Sequence, residues 1–281
     1  MAKKVWFITG CSTGFGRALA QRTLELGYPT VCTARNRAQV EDLVLGHESN
    51  GLALELDVTR PEQITAAVQA AVERFGTIDV LVNNAGIGYF GSLEESDLAE
   101  VRRMFEINVW GLAQATRTVL PLMRARKSGT IVNISSVAGI AASPALSFYN
   151  ASKFAVEGLS ESLAQEVAPL GIKVLLVEPG PFRTDWAGRS AAEAPDTLED
   201  YRETASAGLK RLRGRNGRQP GDPARAAVAI IQTVEAQEPP LRLLLGKFAL
   251  ANARLKVVAL QKDFEGWAKV SEAADFPADQ A

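Results

Sequence analysis

Val5-Trp6-Phe7-Ile8-Thr9-Gly10-Cys11-Ser12-Thr13-Gly14-Phe15-Gly16-Arg17 is the stretch whose reading decides the fold. Its opening apolar and β-branched run predicts a buried strand over 5–9. Three glycines follow, and then a helical pattern over 14–26. Gly10 suits the tight turn out of the strand. Gly14 lets the backbone approach a pyrophosphate, and Gly16 lets the new helix pack closely on the sheet. The helix N-terminus then offers free N–H groups to a phosphate. A glycine triplet alone also suits a turn with no ligand, so the chain around it has to decide.

Working outward, six more short apolar runs occur, at 30–34, 51–56, 80–83, 130–135, 173–178 and 241–245. Their continuous apolar character predicts strands buried on both faces, as in a parallel sheet. Helical stretches separate them, at 37–45, 61–75, 97–127, 145–170 and 222–237. This alternation implies an α/β fold with right-handed crossovers. The expected architecture is a Rossmann-type, doubly wound, mainly parallel seven-stranded sheet with helices on both faces. We read residues 1–281 as one catalytic domain. Residues 182–221 break the rhythm and read as a substrate lid, and 247–281 as a C-terminal helical extension. The basic run Lys210-Arg211-Leu212-Arg213-Gly214-Arg215 reads as a solvated helix face, with contact to an anionic partner as the alternative.

Composition excludes several classes. The 281 residues are 47% hydrophobic with a formal net charge of −1, which gives no reason to expect nucleic acid or an acidic membrane as partner. Two cysteines, Cys11 and Cys32, are too few for a disulfide framework or a structural zinc site, and no metal site is read. A reducing, cytoplasmic setting follows. The single histidine, His47, lies in a polar stretch and suggests no catalytic triad. The start of the chain shows no signal-peptide pattern, and no apolar run is long enough for a membrane helix.

Strand ends point to the cofactor. The second strand runs into Ala34-Arg35-Asn36-Arg37, with no acid between Gly27 and Val40. An acid there would bond a ribose 2′-hydroxyl, whereas the Arg35 guanidinium suits a 2′-phosphate. NADP(H) is therefore favoured, with NAD(H) the alternative. Asp57 follows the third strand, either to accept from an adenine amino group or to cap the next turn. Asn83-Asn84-Ala85-Gly86 closes the fourth strand with small residues against which a flat ligand can lie.

Chemistry is read further on. Ser135-Ser136 closes the fifth strand, and Tyr149 and Lys153 follow, four residues apart on one helix face. A phenol with a pKa of about 10 is a poor base at neutral pH. A neighbouring ammonium is expected to lower that pKa, making Tyr149 a usable acid–base group.

These motifs, in this order, resemble the short-chain dehydrogenase/reductase family in its shorter, non-extended branch. The resemblance runs from Lys4 to about Leu245. It rests on Thr9-Gly10-x-x-x-Gly14-x-Gly16, Asn83-Asn84-Ala85-Gly86, Asn108, Ser136, Tyr149-x-x-x-Lys153, Pro179-Gly180 and Thr184. It implies that Tyr149 exchanges a proton with the substrate oxygen, Ser136 holds that oxygen, and Lys153 tunes Tyr149 and binds the nicotinamide ribose. It implies that Asn108 holds a water linking Lys153 to solvent. Pro179, Gly180, Phe182 and Thr184 would line the nicotinamide, and Arg35 matches the family's marker for NADP. The full cofactor set adds Ser12, Thr13, Phe15, Val58, Ala85 and Gly86.

Ile87, Tyr89, Phe90, Ala138, Ile140, Leu146, Phe182 and Trp186 follow strand ends and predict an apolar pocket for a small, uncharged carbonyl or alcohol. The expected activity is NADP(H)-dependent interconversion of a ketone or aldehyde with an alcohol. The rivals are an NAD-linked alcohol, steroid, retinoid or sugar dehydrogenase, and a non-catalytic dinucleotide sensor. The family's habit of pairing through two long helices implies a homodimer or homotetramer.

Overall fold

Trp6, Phe7 and Ile8 are fully buried, because the strand they form is central and covered on both faces. In the computed structural model, which describes residues 3–276 apart from Arg189, this strand is β1 (Trp6–Ile8). It pairs in parallel with β2 (Thr30–Ala34) on one side and β4 (Val80–Asn83) on the other. Between them lie α1 (Gly14–Glu25), α2 (Glu41–Val44), β3 (Gly51–Glu55) and α3 (Pro61–Phe75). Then come β5 (Gly88–Phe90), α4 (Leu98–Phe105), α5 (Leu112–Arg126), β6 (Gly129–Ile134), α6 (Ser147–Val167) and β7 (Ile172–Pro179). The chain continues through β8 (Ala191–Glu193), α7 (Ala207–Gly214), α8 (Pro223–Glu235), β9 (Arg242–Leu245) and α9 (Lys247–Glu272).

The seven-stranded sheet has the order β3-β2-β1-β4-β6-β7-β9, and every described pairing in it is parallel. Alternating β1 side chains feed opposite layers. Trp6 and Ile8 join the core under α1 and α8, with Leu19 and Ile230. Phe7 joins the layer under α3, α5 and α6, with Ile64, Met123 and Leu163. This is the expected Rossmann-like single domain. Strand order reverses direction between β1 and β4, which opens a crevice at the strands' carboxyl ends.

Several boundaries differ from the sequence reading, each for a local reason. The helix read over 97–127 is broken by a π-helical turn, Glu106–Gly111, between α4 and α5. The stretch 37–45 divides into a 3₁₀ turn, Arg37–Gln39, and the single-turn α2, because Val40 leaves helical geometry (φ −132°, ψ 0°). The helix read over 145–170 ends in a 3₁₀ turn, Ala168–Leu170, where Pro169 cannot supply the next backbone donor. Strands β5 and β8 pair in parallel as a separate two-stranded sheet. At three residues each, they are too short to show an alternation.

The stretch 182–221 holds β8, α7 and several short turns. Its basic run is not simply solvated. Arg213 turns inward to Glu193 and to the Gly188 and Ala191 carbonyls, with its guanidinium 5.0 Å from the Phe90 ring centre. In α9 only Ala249 and Ala253 are buried, while Leu255, Val258, Phe264 and Trp267 are exposed. Residues 277–281 of the extension lie outside the described residues. No helix among the described residues is long and apolar enough to cross a membrane.

Candidate active site

A cleft of about 1460 Å³ runs along the carboxyl ends of the strands. At the β1–β4 switch its floor is tied by short polar contacts. The Asn84 side-chain amide donates to the carbonyls of Thr9 (2.8 Å) and Gly10 (2.9 Å). The Thr9 hydroxyl accepts from the backbone N–H groups of Asn84 (2.9 Å) and Ala85 (3.0 Å). This close docking explains two glycines. Gly10 has φ +71°, and a Cβ there would lie 2.9 Å from the Ala85 Cα. A Cβ on Gly16 would lie 2.4 Å from the Gly10 oxygen. The α1 N-terminus faces the cleft with no side-chain cap and no acid in its first turn. By contrast, the side chains of Asp97 and Asp222 cap α4 and α8.

Of the sequence-derived cofactor residues, Gly10, Ser12, Thr13, Gly14, Phe15, Arg35, Asp57, Val58, Asn84, Ala85, Gly86, Pro179, Gly180, Phe182 and Thr184 all line the cleft. Gly16 stands behind its floor. Arg35 is exposed just after β2 and makes no ion pair among the described residues. Asp57 takes the capping role, one of its oxygens accepting from the Thr59 N–H (2.9 Å) and hydroxyl (2.7 Å). The Phe182 ring packs on Phe15, centroids 5.0 Å apart.

At the other end, Ser136 leaves β6 and accepts from the Ala138 N–H (3.1 Å), so its hydroxyl is fixed by the turn it caps. Tyr149 and Lys153 come from the first turns of α6, both buried, with the Lys153 Nζ 5.7 Å from the Tyr149 ring centre. Nζ donates to the Ile134 carbonyl at 2.8 Å. Trp186 covers the phenol, ring centroids 4.8 Å apart.

The expected lowering of the Tyr149 pKa is reversed here. Burial pushes the phenol well above its ordinary value, while a hydrogen bond with Ser136 pulls the other way. Burial likewise pulls Lys153 down to about 8, against the charge of Glu157, which raises it. For both groups removal from water is the largest cause of the shift.

Asn108 makes direct contacts with its neighbours. It sits in the π-helical turn, and its side chain clamps the backbone of Ile87. It accepts from the Ile87 N–H (2.9 Å), donates to the Ile87 carbonyl (3.0 Å), and reaches the Ser152 hydroxyl (3.3 Å). It thus braces the segment at Ile87 beside α6.

Of the residues expected to wall the pocket, Ile87, Ala138, Leu146, Phe182 and Trp186 do so. Tyr89 and Phe90 instead pack in a core cluster beneath it, and Ile140 is not among the lining residues. The cleft also gathers charged groups that sequence reading did not place in the site. Asp42 lies at the rim of the β2 end, held by Arg17 and with its carboxyl lowered by that hydrogen bond. Arg103, Arg211 and Arg215 stand at the far mouth. No local pattern marks Asp42 or Arg103, whereas Arg211 and Arg215 belong to the basic run, whose place at the cleft comes from tertiary packing.

The short chain dehydrogenase profile matches residues 4–195, more than half of the chain. The protein belongs to the short-chain dehydrogenase family. This is a family of oxidoreductases, and relatives agree along the full length. Oxidoreductase BOA17 of Botryotinia fuckeliana is 39% identical over 273 residues, covering 96% of this chain and 99% of its own. The crystal structure of a short-chain dehydrogenase from Streptomyces avermitilis is 42% identical with a TM-score of 0.91, covering 98% of this chain and 100% of its own. A short chain dehydrogenase/reductase from Burkholderia phymatum, solved in complex with NAD, is 28% identical with a TM-score of 0.80, covering 92% of this chain and 95% of its own.

Proposed function

We propose that this chain is an NADP(H)-dependent oxidoreductase that interconverts a small, largely apolar ketone or aldehyde with its alcohol. The observation that carries the reading is the meeting of Tyr149, Ser136 and Lys153 at one end of a cleft whose other end is the glycine loop. The chain fits a dinucleotide: the uncapped amides of α1 suit a diphosphate, and the close-packed floor of Asn84 to Gly86 leaves room above it. Ser12, Thr13, Asp57, Val58, Pro179, Gly180, Phe182 and Thr184 would hold its remaining parts. A nicotinamide bound there supplies the hydride.

The chain's own residues handle the proton. Tyr149 is protonated at neutral pH, as an ordinary phenol is, and burial strengthens this; that is the form that donates to a carbonyl oxygen. Ser136 hydrogen-bonds the same oxygen, and the Lys153 ammonium stabilises the phenolate left behind. Asn108 holds the Ile87 strand end against α6. Trp186, Ala138 and Leu146 keep water from the reacting carbonyl. Residues 182–221, which carry Trp186, act as the lid.

NAD(H) is the second reading. It is favoured by the bound NAD of the Burkholderia protein, and by Asp42, an acid at the rim of the β2 end. The buried free thiols of Cys11 and Cys32 support a reducing, cytoplasmic setting. Trp110 and Phe154, 59% and 44% exposed, support self-association through the faces around α5 and α6. Initial rates of NADPH and NADH oxidation against a panel of ketones and aldehydes, with the reverse assay on alcohols, test the reading. We expect NADPH-linked reduction. No turnover with any carbonyl or alcohol would leave the non-catalytic sensor in its place.

A further inference from the structure

Behind Ser136, Tyr149 and Lys153 lies a second layer of ionisable groups. Glu157 is one helical turn beyond Lys153 on α6, and its side chain is 8% exposed. Glu178 immediately precedes Pro179 at the end of β7 and is fully buried. A Cβ on Gly139 would touch both the Glu157 Cγ and the Ser135 hydroxyl at 2.9 Å, so Glu157 reaches the turn that follows Ser136.

The two carboxyls face one another, with one cation between them. The Arg242 Nε of β9 is 3.1 Å from a Glu157 oxygen and 3.4 Å from a Glu178 oxygen. Arg242 is shared with the more exposed Glu161, at 2.6 Å. Oε1 of Glu157 and both oxygens of Glu178 make no hydrogen bond among the described residues, Arg242 reaching Glu178 only as the longer ion-pair contact. Two buried carboxylates left short of donors repel each other, and a proton between them removes both costs. The charged groups facing the pair are Lys153 and Glu161 on α6 and Arg242 on β9. The β6 edge contributes the neutral Ser135, and the turn Val137–Gly139 is uncharged.

We propose that Glu157 and Glu178 share one proton as a buried acid pair whose remaining charge keeps Lys153 in its ammonium form, making both positioning residues of the active site. This rests on the reading of Tyr149 and Lys153 as the proton-handling groups. Burial alone draws Lys153 towards neutrality, and Glu157 is the neighbour that opposes it. Burial and the Glu157 charge push Glu178 up to about 8, near Lys153 itself. As pH rises, the pair therefore gains negative charge as Lys153 begins to lose its proton, and holds that proton on.

Two measurements test this. The first is the pH profile of kcat/KM at saturating NADPH, using the best carbonyl from the panel. Glu157→Gln should move the alkaline limb down by about one pH unit, or about tenfold in kcat/KM on that limb, and Glu157→Asp should move it back. A uniform drop in rate with an unshifted limb would reduce Glu157 to a structural role and overturn the proposal. The second needs no activity. Glu178→Gln should show a melting temperature nearly flat between pH 5 and 8.5, where the wild type declines. A decline equal to the wild type's would overturn the shared proton even if Glu157→Gln fails to fold. If Tyr149→Phe kept ordinary turnover, the proton-handling reading would fall, yet the melting curves would still report on the pair.

Discussion

The two ends of the cleft are built from different materials. At the β1–β4 switch the contacts are neutral and short: Thr9, Gly10 and Asn84 close a ring of hydrogen bonds that leaves no space for a Cβ. At the β6–β7 edge, four ionisable side chains, Tyr149, Lys153, Glu157 and Glu178, are buried within a few turns of one another. Burial displaces the pKa of each. A binding end needs a fixed shape and tolerates little change in volume. A chemical end needs groups whose pKa values are tuned, and desolvation moves Lys153 and Glu178 towards neutrality while pushing Tyr149 up. Variants at the first end should therefore alter stability and cofactor affinity, and variants at the second should alter rate and pH dependence.

The largest expected effect belongs to the chemical end. Tyr149→Phe removes the proton donor and keeps the ring that packs on Trp186. Turnover should fall by about 10²–10⁴-fold, the span that general acid–base groups contribute, with NADPH affinity retained in a fluorescence titration. Near-normal turnover would dissolve the division between the ends.

The pH dependence of stability comes next, and its sign follows from Glu178. Its folded pKa, about 8, lies above the ordinary carboxylate value of 4.5. The folded state therefore holds the proton more tightly than the unfolded chain does. This contribution is full below pH 4.5 and is lost as pH rises through about 8. The melting temperature should thus fall between pH 5 and 8.5. At the switch end the thiols of Cys11 and Cys32 are buried, and burial raises Cys11 well above its ordinary value.

How far the chain could be read follows the same division. The glycine loop, the strand runs and Tyr149-x-x-x-Lys153 are local patterns with a fixed spacing, so they were legible. Asn108 was legible as a residue but not as a clamp, because its partners Ile87 and Ser152 are 21 and 44 residues away. The π-helical turn around it leaves the helical pattern continuous and so carries no signal. Glu157 looks like an ordinary acid on a helix. Glu178 did carry a signal, as an acid at the end of the apolar run Val174-Leu175-Leu176-Val177. A charge at the end of a strand buried on both faces calls for a partner, and Arg242 lies in a strand 64 residues on.

At the binding end, Arg35→Asp should lower the NADPH-to-NADH preference by about 10- to 100-fold. That is the equivalent of the about 1.5–3 kcal/mol that a hydrogen bond to a charged group contributes. Paired kcat/KM values for the two cofactors read it directly. An unchanged ratio would shift the proposal to NAD(H) and to the acid at Asp42.

The smallest effect tests whether the α1 N-terminus is kept open for a ligand. Thr13 holds the N-cap position of α1 but makes no side-chain cap bond, whereas Asp222 caps α8 by accepting from the Ala224 N–H at 2.9 Å. Losing a working cap costs about 1 kcal/mol. Asp222→Ala should therefore lower stability by about that much in urea unfolding without cofactor, and Thr13→Ala should leave it nearly unchanged. With NADPH added, the order should reverse in the increment gained. Thr13 lines the cleft, and its replacement should blunt the stabilisation by ligand, while Asp222→Ala should gain as much as the wild type. Equal losses without cofactor would mean that Thr13 caps α1 after all, and that the amides of that helix are closed to a phosphate.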